Sequence, residues 1–298
     1  MLNIELGQQI EQLLSAHKLP RSYWLGAEPY LYSLARNVAA AQTSKRGIYV
    51  LGVNGAQGTG KTTLSEFLKL ILRAEYKKRC IVLSLDNFYY SNAERIKLAR
   101  DTHPLLRTRG VPGTHDVALA VSTIASLLND ETVPLPHFDK GMDDRLPVEC
   151  WPVQTQAVDI ILFEGWCVGA KPQSGQQLNL AVNSLEADED TQGDWRRYVN
   201  DCLTGSYSHL FEYIDQLLML KAPDLPTVIG WRGLQEKKLA ESGAQNVMTA
   251  AELTRFVQHY ERLTRHMLDE MPNRADGVLN LAENHTFISA AGCLFSNT

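Results

Sequence analysis

The chain predicts an α/β fold in which a parallel sheet is wound with helices on both faces. Three observations lead to it. Short apolar, β-branched runs recur at IYVLGV (48–53), CIVLSL (80–85), VDIILF (158–163), IDQLLMLKA (214–222) and GVLNLA (277–282). Each is nearly continuous in apolar residues, as strands covered on both faces must be. Helical periodicity fills the intervals, and strands alternating with helices give a parallel sheet whose carboxyl ends carry the site.

The elements follow in order. Residues 5–17 and 22–43 have apolar positions at helical spacing, with Leu31, Leu34, Ala35 and Val38 on one stripe and Pro20 dividing the two. We expect residues 1–44 to be a helical segment packed on a main domain of 45–298. Further helices are expected at 61–75, 116–129, 226–242 and 249–271. SLEADEDTQGDW (184–195) is acidic and poor in apolar residues, and reads as an exposed loop.

Composition narrows the class. With 298 residues, 44% hydrophobic and 21% charged, the chain has ample material for a core. A net charge of -5 argues against a nucleic-acid binder that relies on broad electrostatic attraction. No apolar run approaches the roughly 20 residues that span a bilayer, so no membrane association is expected. The first 20 residues lack the pattern of a signal peptide. Cys80, Cys150, Cys167, Cys202 and Cys293 are scattered and free of CxxC spacing. That favours core filler in a reducing cytoplasm over disulfides or zinc. Nothing in the sequence identifies a protein partner.

GVNGAQGTGKTTL (52–64) lies between the first strand and a helix. Gly55, Ala56, Gln57, Gly58, Thr59, Gly60, Lys61 and Thr62 satisfy G-x-x-x-x-G-K-[ST], and Thr63 follows. Glycines let the backbone wrap a polyphosphate with its N–H groups turned inward, and the helix offers its positive end. Lys61 is expected on the β- and γ-phosphates and Thr62 on a magnesium ion. No Asn-Lys-x-Asp string is present, so ATP is expected rather than GTP.

Other strand ends carry candidates. Asp86, in SLDNFYY (84–90), sits where a carboxylate accepts a hydroxyl proton or orders a magnesium shell; the competing reading is a turn aspartate. Glu164 closes the third strand and suits metal-bound water; the alternative is an ordinary strand-end charge. LLRTRGVPGTHD (105–116) and PLPHFDKGMDDR (134–145) suit an anionic substrate. Arg107 or Arg109 would fork onto a carboxylate or phosphate, Lys140 would add a point charge, and His103, His115 and His137 could donate to oxygens or be structural. Arg232, in TVIGWRGLQEKKL (227–239), begins a charged helix that is either a lid over the transferring phosphate or a solvated face.

Assembled, these residues resemble the D-glycerate 3-kinase family, P-loop kinases related to uridine kinase, phosphoribulokinase and pantothenate kinase. The matching segments are GVNGAQGTGKTT, SLDNFY, RGVPGTHD, PHFDKG with DDR after it, WP at 151–152, ILFEGWCVG and GWRGLQE, in order from about 48 to 282. The resemblance implies a five-stranded sheet of order 2-3-1-4-5, a helical lid at about 223–245, and magnesium–ATP as cofactor. It also implies Asp86 as base, Glu164 and Thr62 at the metal, and Arg232 in the lid. Residues Arg107, Arg109, His115, Asp116 and Lys140 are expected to hold a small anionic hydroxy acid, D-glycerate. A nucleoside or pantothenate-type acceptor, or a non-catalytic ATP-binding regulator, stands as the alternative.

Overall fold

The computed structural model describes residues 4–241 and 248–296. Its core is a sheet of six strands: β1 (Tyr49–Gly55), β2 (Cys80–Ser84), β3 (Ile160–Gly165), β4 (Gln216–Lys221), β5 (Gly277–Leu281) and β6 (Phe287–Ala291). Along the sheet they run β6-β5-β4-β1-β3-β2. The first five are mutually parallel, and β6 is antiparallel to β5 with a register shift between Phe287 and Ser289. The sheet is therefore not five-stranded. β6 was missed because it is an edge strand, largely exposed on both faces, and so lacks the apolar run that marks the others.

Side chains along each central strand alternate between two covered faces with the period of two that a pleated strand imposes. Tyr49, Leu51, Val53, Ile160, Leu162, Leu218 and Leu220 face one layer, formed by α1 (Ile4–Ala16), α2 (Arg21–Lys45) and α3 (Lys61–Tyr76). Val50, Ile161, Phe163, Leu217 and Met219 face the other. That second layer holds α5 (Val117–Leu128), α7 (Asp194–Thr204), α8 (Ser206–Phe211) and α10 (Ala250–Glu270). The remaining helices are α4 (Asn92–Asp101), α6 (Ser184–Glu189) and α9 (Leu225–Glu241). Residues 242–245 of the expected lid lie outside the described residues. Among the described residues, no helix is long and apolar enough to cross a membrane.

The acidic stretch 184–195 is not an exposed loop. It forms α6 and the start of α7, with Leu185, Glu186, Asp190 and Trp195 buried. Glu186 receives Arg262 through two bonds, Nε to Oε1 at 2.7 Å and Nη2 to Oε2 at 2.6 Å. Asp190 caps α7 by accepting from Trp195 N at 2.8 Å, and it pairs with Arg196. Carboxylates of this kind are read as solvated from composition, yet each meets a guanidinium that repays its desolvation.

This arrangement makes a quantitative prediction. Replacing Glu186 by Ala leaves the buried Arg262 charge uncompensated and should cost about 3–5 kcal/mol. Replacing Glu189, whose bond to Arg255 is exposed, should cost under about 1 kcal/mol. Urea unfolding of the two variants separates them, and similar losses would contradict the assignment.

Candidate active site

Gly55 ends β1, and the backbone then turns through Gly58 and Gly60, both in the left-handed region (φ +82° and +84°). At Gly58 a side chain is doubly excluded, because a Cβ would lie 2.8 Å from Trp231 Cβ. Thr59 Oγ1 donates to Ala56 O at 2.8 Å and closes the loop. α3 starts at Lys61 with no side chain capping its first turn, so its free N–H groups and positive end face the loop. From outside, the ring of His285 stacks on Trp231 at 4.2 Å, and its Nε2 lies 2.8 Å from Gly58 O. Gln57 bonds to Tyr260 of α10.

Lys61 Nζ donates to Gly55 O at 2.8 Å and Ala56 O at 3.2 Å. Burial lowers its pKa against the opposing pull of Glu164 and Asp86. Thr62 Oγ1 donates to Glu164 Oε1 at 3.0 Å. Burial raises the Glu164 pKa, with Lys61, Ser84 and Thr62 pulling the other way. The Thr63 hydroxyl turns away toward α1, 3.5 Å from His17 Nδ1.

The end of β2 delivers Asp86, whose side chain is 27% exposed. Lys140 Nζ reaches Oδ2 at 2.6 Å and the Tyr89 hydroxyl donates to Oδ1 at 2.8 Å. Burial pushes the carboxyl up, but Lys140, Tyr89 and Lys61 outweigh it and bring the pKa down to about 2. Lys140 is thus partnered with Asp86 and not held out as a separate point charge.

His115 is buried (1% exposed), stacked on Tyr89 at 4.5 Å, with Nδ1 2.5 Å from the Tyr207 hydroxyl. Tyr207 also accepts from Gly113 N at 3.0 Å. Its Nε2 has no hydrogen-bond partner among the described residues. Burial lowers the pKa of this histidine to about 4 despite the charge of Asp86.

The other expected substrate residues separate. Arg109 pairs with Asp143, and its guanidinium lies 5.4 Å from the Phe138 ring centroid. Arg107 is exposed, with Nη2 3.4 Å from Asn92 Oδ1. Asp116 caps α5 by accepting from Leu119 N at 3.0 Å and pairs with Arg145. Arg232 pairs with Glu236 one turn along α9 and lies over Phe256. His103 accepts from Leu105 N, and His137 is exposed.

Sequence reasoning passed over Tyr89, Arg95, Asp143, Tyr207 and Tyr260, which brace these groups. Gly110 carried the one available signal: at φ +127° a Cβ would collide with the Tyr260 hydroxyl. Tyr260 OH donates to Arg109 O at 2.6 Å, and Trp166 Nε1 donates to Gly110 O at 2.8 Å.

As ion ligands, Thr62, Glu164 and Asp86 offer only oxygen atoms, the donor type of a hard cation. Among the described residues, no group of three or more His, Cys, Asp or Glu could hold an ion unaided. The residues therefore fit magnesium in the form in which it retains water and phosphate oxygens.

No family profile matches the chain. An uncharacterised kinase of Schizosaccharomyces pombe is 32% identical over 221 residues, covering 71% of this chain and 78% of that one. The chloroplastic D-glycerate 3-kinase of Arabidopsis thaliana is 31% identical over 221 residues, 71% of this chain and 46% of that one, so the match takes in under half of that relative. Among solved structures, the D-glycerate 3-kinase of Cryptococcus neoformans superposes with a TM-score of 0.73 at 24% identity, covering 88% of this chain and 98% of that one. The chain belongs to this family of P-loop kinases, which includes D-glycerate 3-kinase.

Proposed function

We propose that this kinase uses ATP to phosphorylate the primary hydroxyl of D-glycerate. One juxtaposition carries the reading: Asp86 lies within electrostatic reach of the P-loop Lys61, and Tyr89 and His115 link it to the loop that bears Arg109. On this reading a phosphate cradle, an ionised carboxylate and an arginine suited to an acidic acceptor sit on linked elements. The glycerate kinases among the relatives support that acceptor.

In this mechanism the triphosphate lies in the loop from Gly55 to Thr62, where Lys61 exchanges its carbonyl partners for phosphate oxygens. Thr62 and Glu164, with Asp86 through water, would hold magnesium, which supplies neutralising charge on the β- and γ-phosphates. The acceptor hydroxyl oxygen attacks the γ-phosphorus while the bond to the bridging oxygen of ADP breaks. Asp86, ionised at neutral pH, takes or orients the hydroxyl proton as the phosphoryl group transfers. Arg109 holds the acceptor carboxylate. Arg232 would leave Glu236 for the transferring group as α9 closes. Most of the rate comes from positioning and electrostatics.

The test is ADP release with magnesium–ATP and no acceptor, D-glycerate, L-glycerate, uridine or pantothenate. D-glycerate should drive turnover, and Asp86→Asn should lower kcat about 10³-fold. Lys61→Ala should lower it at least about 10²-fold. Turnover driven by uridine or pantothenate alone would replace the acceptor. ATP binding without any acceptor-dependent turnover would leave a nucleotide-binding regulator.

Protonation supplies a second check. Unfolded histidines titrate near 6.5, so the depressed pKa of His115 gives stability that is complete above about pH 6.5 and is lost progressively as pH falls toward 4. That loss is about 3 kcal/mol for this residue. Burial lowers His259 and His266 as well, so only the difference between wild type and His115→Gln isolates it. Urea unfolding at pH 7 and pH 4.5 should show a smaller loss in the variant, and equal losses would refute it.

A further inference from the structure

Arg95 is a charged side chain with 2% exposure, and no step above uses it. Its Nε donates to Tyr90 O at 3.2 Å, Nη1 to Arg107 O at 3.0 Å, and Nη2 to Asp143 O at 2.7 Å. Nη2 also lies 2.9 Å from Asp143 Oδ2. The three carbonyls belong to three separate segments: the turn after β2, the arginine-rich loop, and the hairpin that pairs Phe138–Asp139 with Asp144–Arg145. One guanidinium therefore ties together three segments that the kinase reading places around the acceptor. A planar fork with fixed donor directions can do this, and a lysine cannot.

Asp143 passes that order on. Its backbone is in the left-handed region (φ 54°), a conformation that costs a non-glycine residue energy and persists only where its surroundings hold it. Its Oδ2 faces Arg95 and its Oδ1 receives Nη1 of Arg109. The Phe138 ring and the bond from Tyr260 to the Arg109 carbonyl fix the rest of that residue. Among the described residues, Nη1 is the only nitrogen of the Arg109 guanidinium with a hydrogen-bond partner, so another edge of the fork is unpaired, and the side chain as a whole is 27% exposed. Arg95, Asp143 and Arg109 together carry one net positive charge, which matches one carboxylate.

We propose that Arg95, acting through Asp143, positions Arg109 so that the open edge of its guanidinium receives the acceptor carboxylate. Arg95 and Asp143 thereby set the preference for acidic acceptors without touching them. The inference rests on the kinase reading above and deepens it. Arg95 and Asp143 are positioning residues, and Arg109 is the group that meets substrate.

The experiment compares D-glycerate with glycerol, which keeps the primary hydroxyl and lacks the carboxylate, in wild type, Asp143→Asn, Arg95→Lys and Arg109→Ala. Wild type should favour D-glycerate in kcat/KM by about a hundredfold or more. Asp143→Asn keeps the side-chain shape and should cut that preference at least about tenfold, through KM for D-glycerate. KM for ATP and turnover of glycerol should stay within about threefold of wild type. Arg95→Lys should move the preference the same way, and Arg109→Ala should abolish it. If Asp143→Asn keeps the wild-type preference, or depresses both acceptors alike, the positioning role is refuted and the kinase reading stands. A wild type without preference for D-glycerate over glycerol overturns both.

Discussion

The site depends on the ladder between β1 and β3. These strands pair in parallel with Val53 opposite Glu164 and Asn54 opposite Gly165, so the start of the P-loop and the Glu164 carboxylate arrive side by side. Both strands are buried along their whole length, and a slip of one residue would exchange the faces of every side chain in them. The bond from Thr62 to Glu164 follows from that register. Asn54 strengthens it by donating to Trp166 O and Val168 O, both at 2.9 Å, which ties β1 to the turn beyond β3. The parallel order of β4, β1, β3 and β2 brings the remaining chemistry to the same edge.

At that edge the charges are interdependent. Burial works against Lys61, Glu164 and Asp86 as ions; Lys61 and each carboxylate support one another, while the charge of Asp86 further disfavours an ionised Glu164. Asp86 has the strongest local support, from Lys140 and Tyr89, and is the one whose pKa falls. Glu164 has hydroxyl donors and a more distant lysine, and its pKa rises. A bound cation would reverse that balance, since positive charge favours the ionised carboxylate.

The fold was largely legible because buried parallel strands leave a local trace: unbroken apolar runs separated by helical periodicity. β6 left none, being an exposed edge strand. The P-loop was legible for a related reason, since its residues are consecutive and backbone N–H groups do the binding. Glu186, Asp190 and Arg95 were not legible. Glu186 finds Arg262 76 positions away, and Arg95 meets Asp143 48 positions away, so composition alone read such charges as solvated. Arg107 and Arg109, two residues apart, had equal claims in the sequence. Only the tertiary contacts distinguish them: Arg109 packs against Asp143 and Phe138, and Arg107 stays exposed and gives its carbonyl to Arg95.

The two ends of the cleft therefore differ in what fixes them. The phosphate end is set by a continuous loop, one helix terminus and a strand register, all of which the fold needs for its own stability. The acceptor end proposed above draws on segments between 86 and 145, together with Tyr207 and Tyr260, which side-chain bonds to Arg95, Asp143 and Asp86 hold together. Substitutions there change what is held without disturbing the sheet, because β1, β3 and β4 pair without those side chains. Family membership consequently specifies phosphoryl transfer more tightly than it specifies the acceptor. On the reading proposed here the acceptor is chosen by a few long-range polar contacts, and Arg95 joins three of the segments that make them.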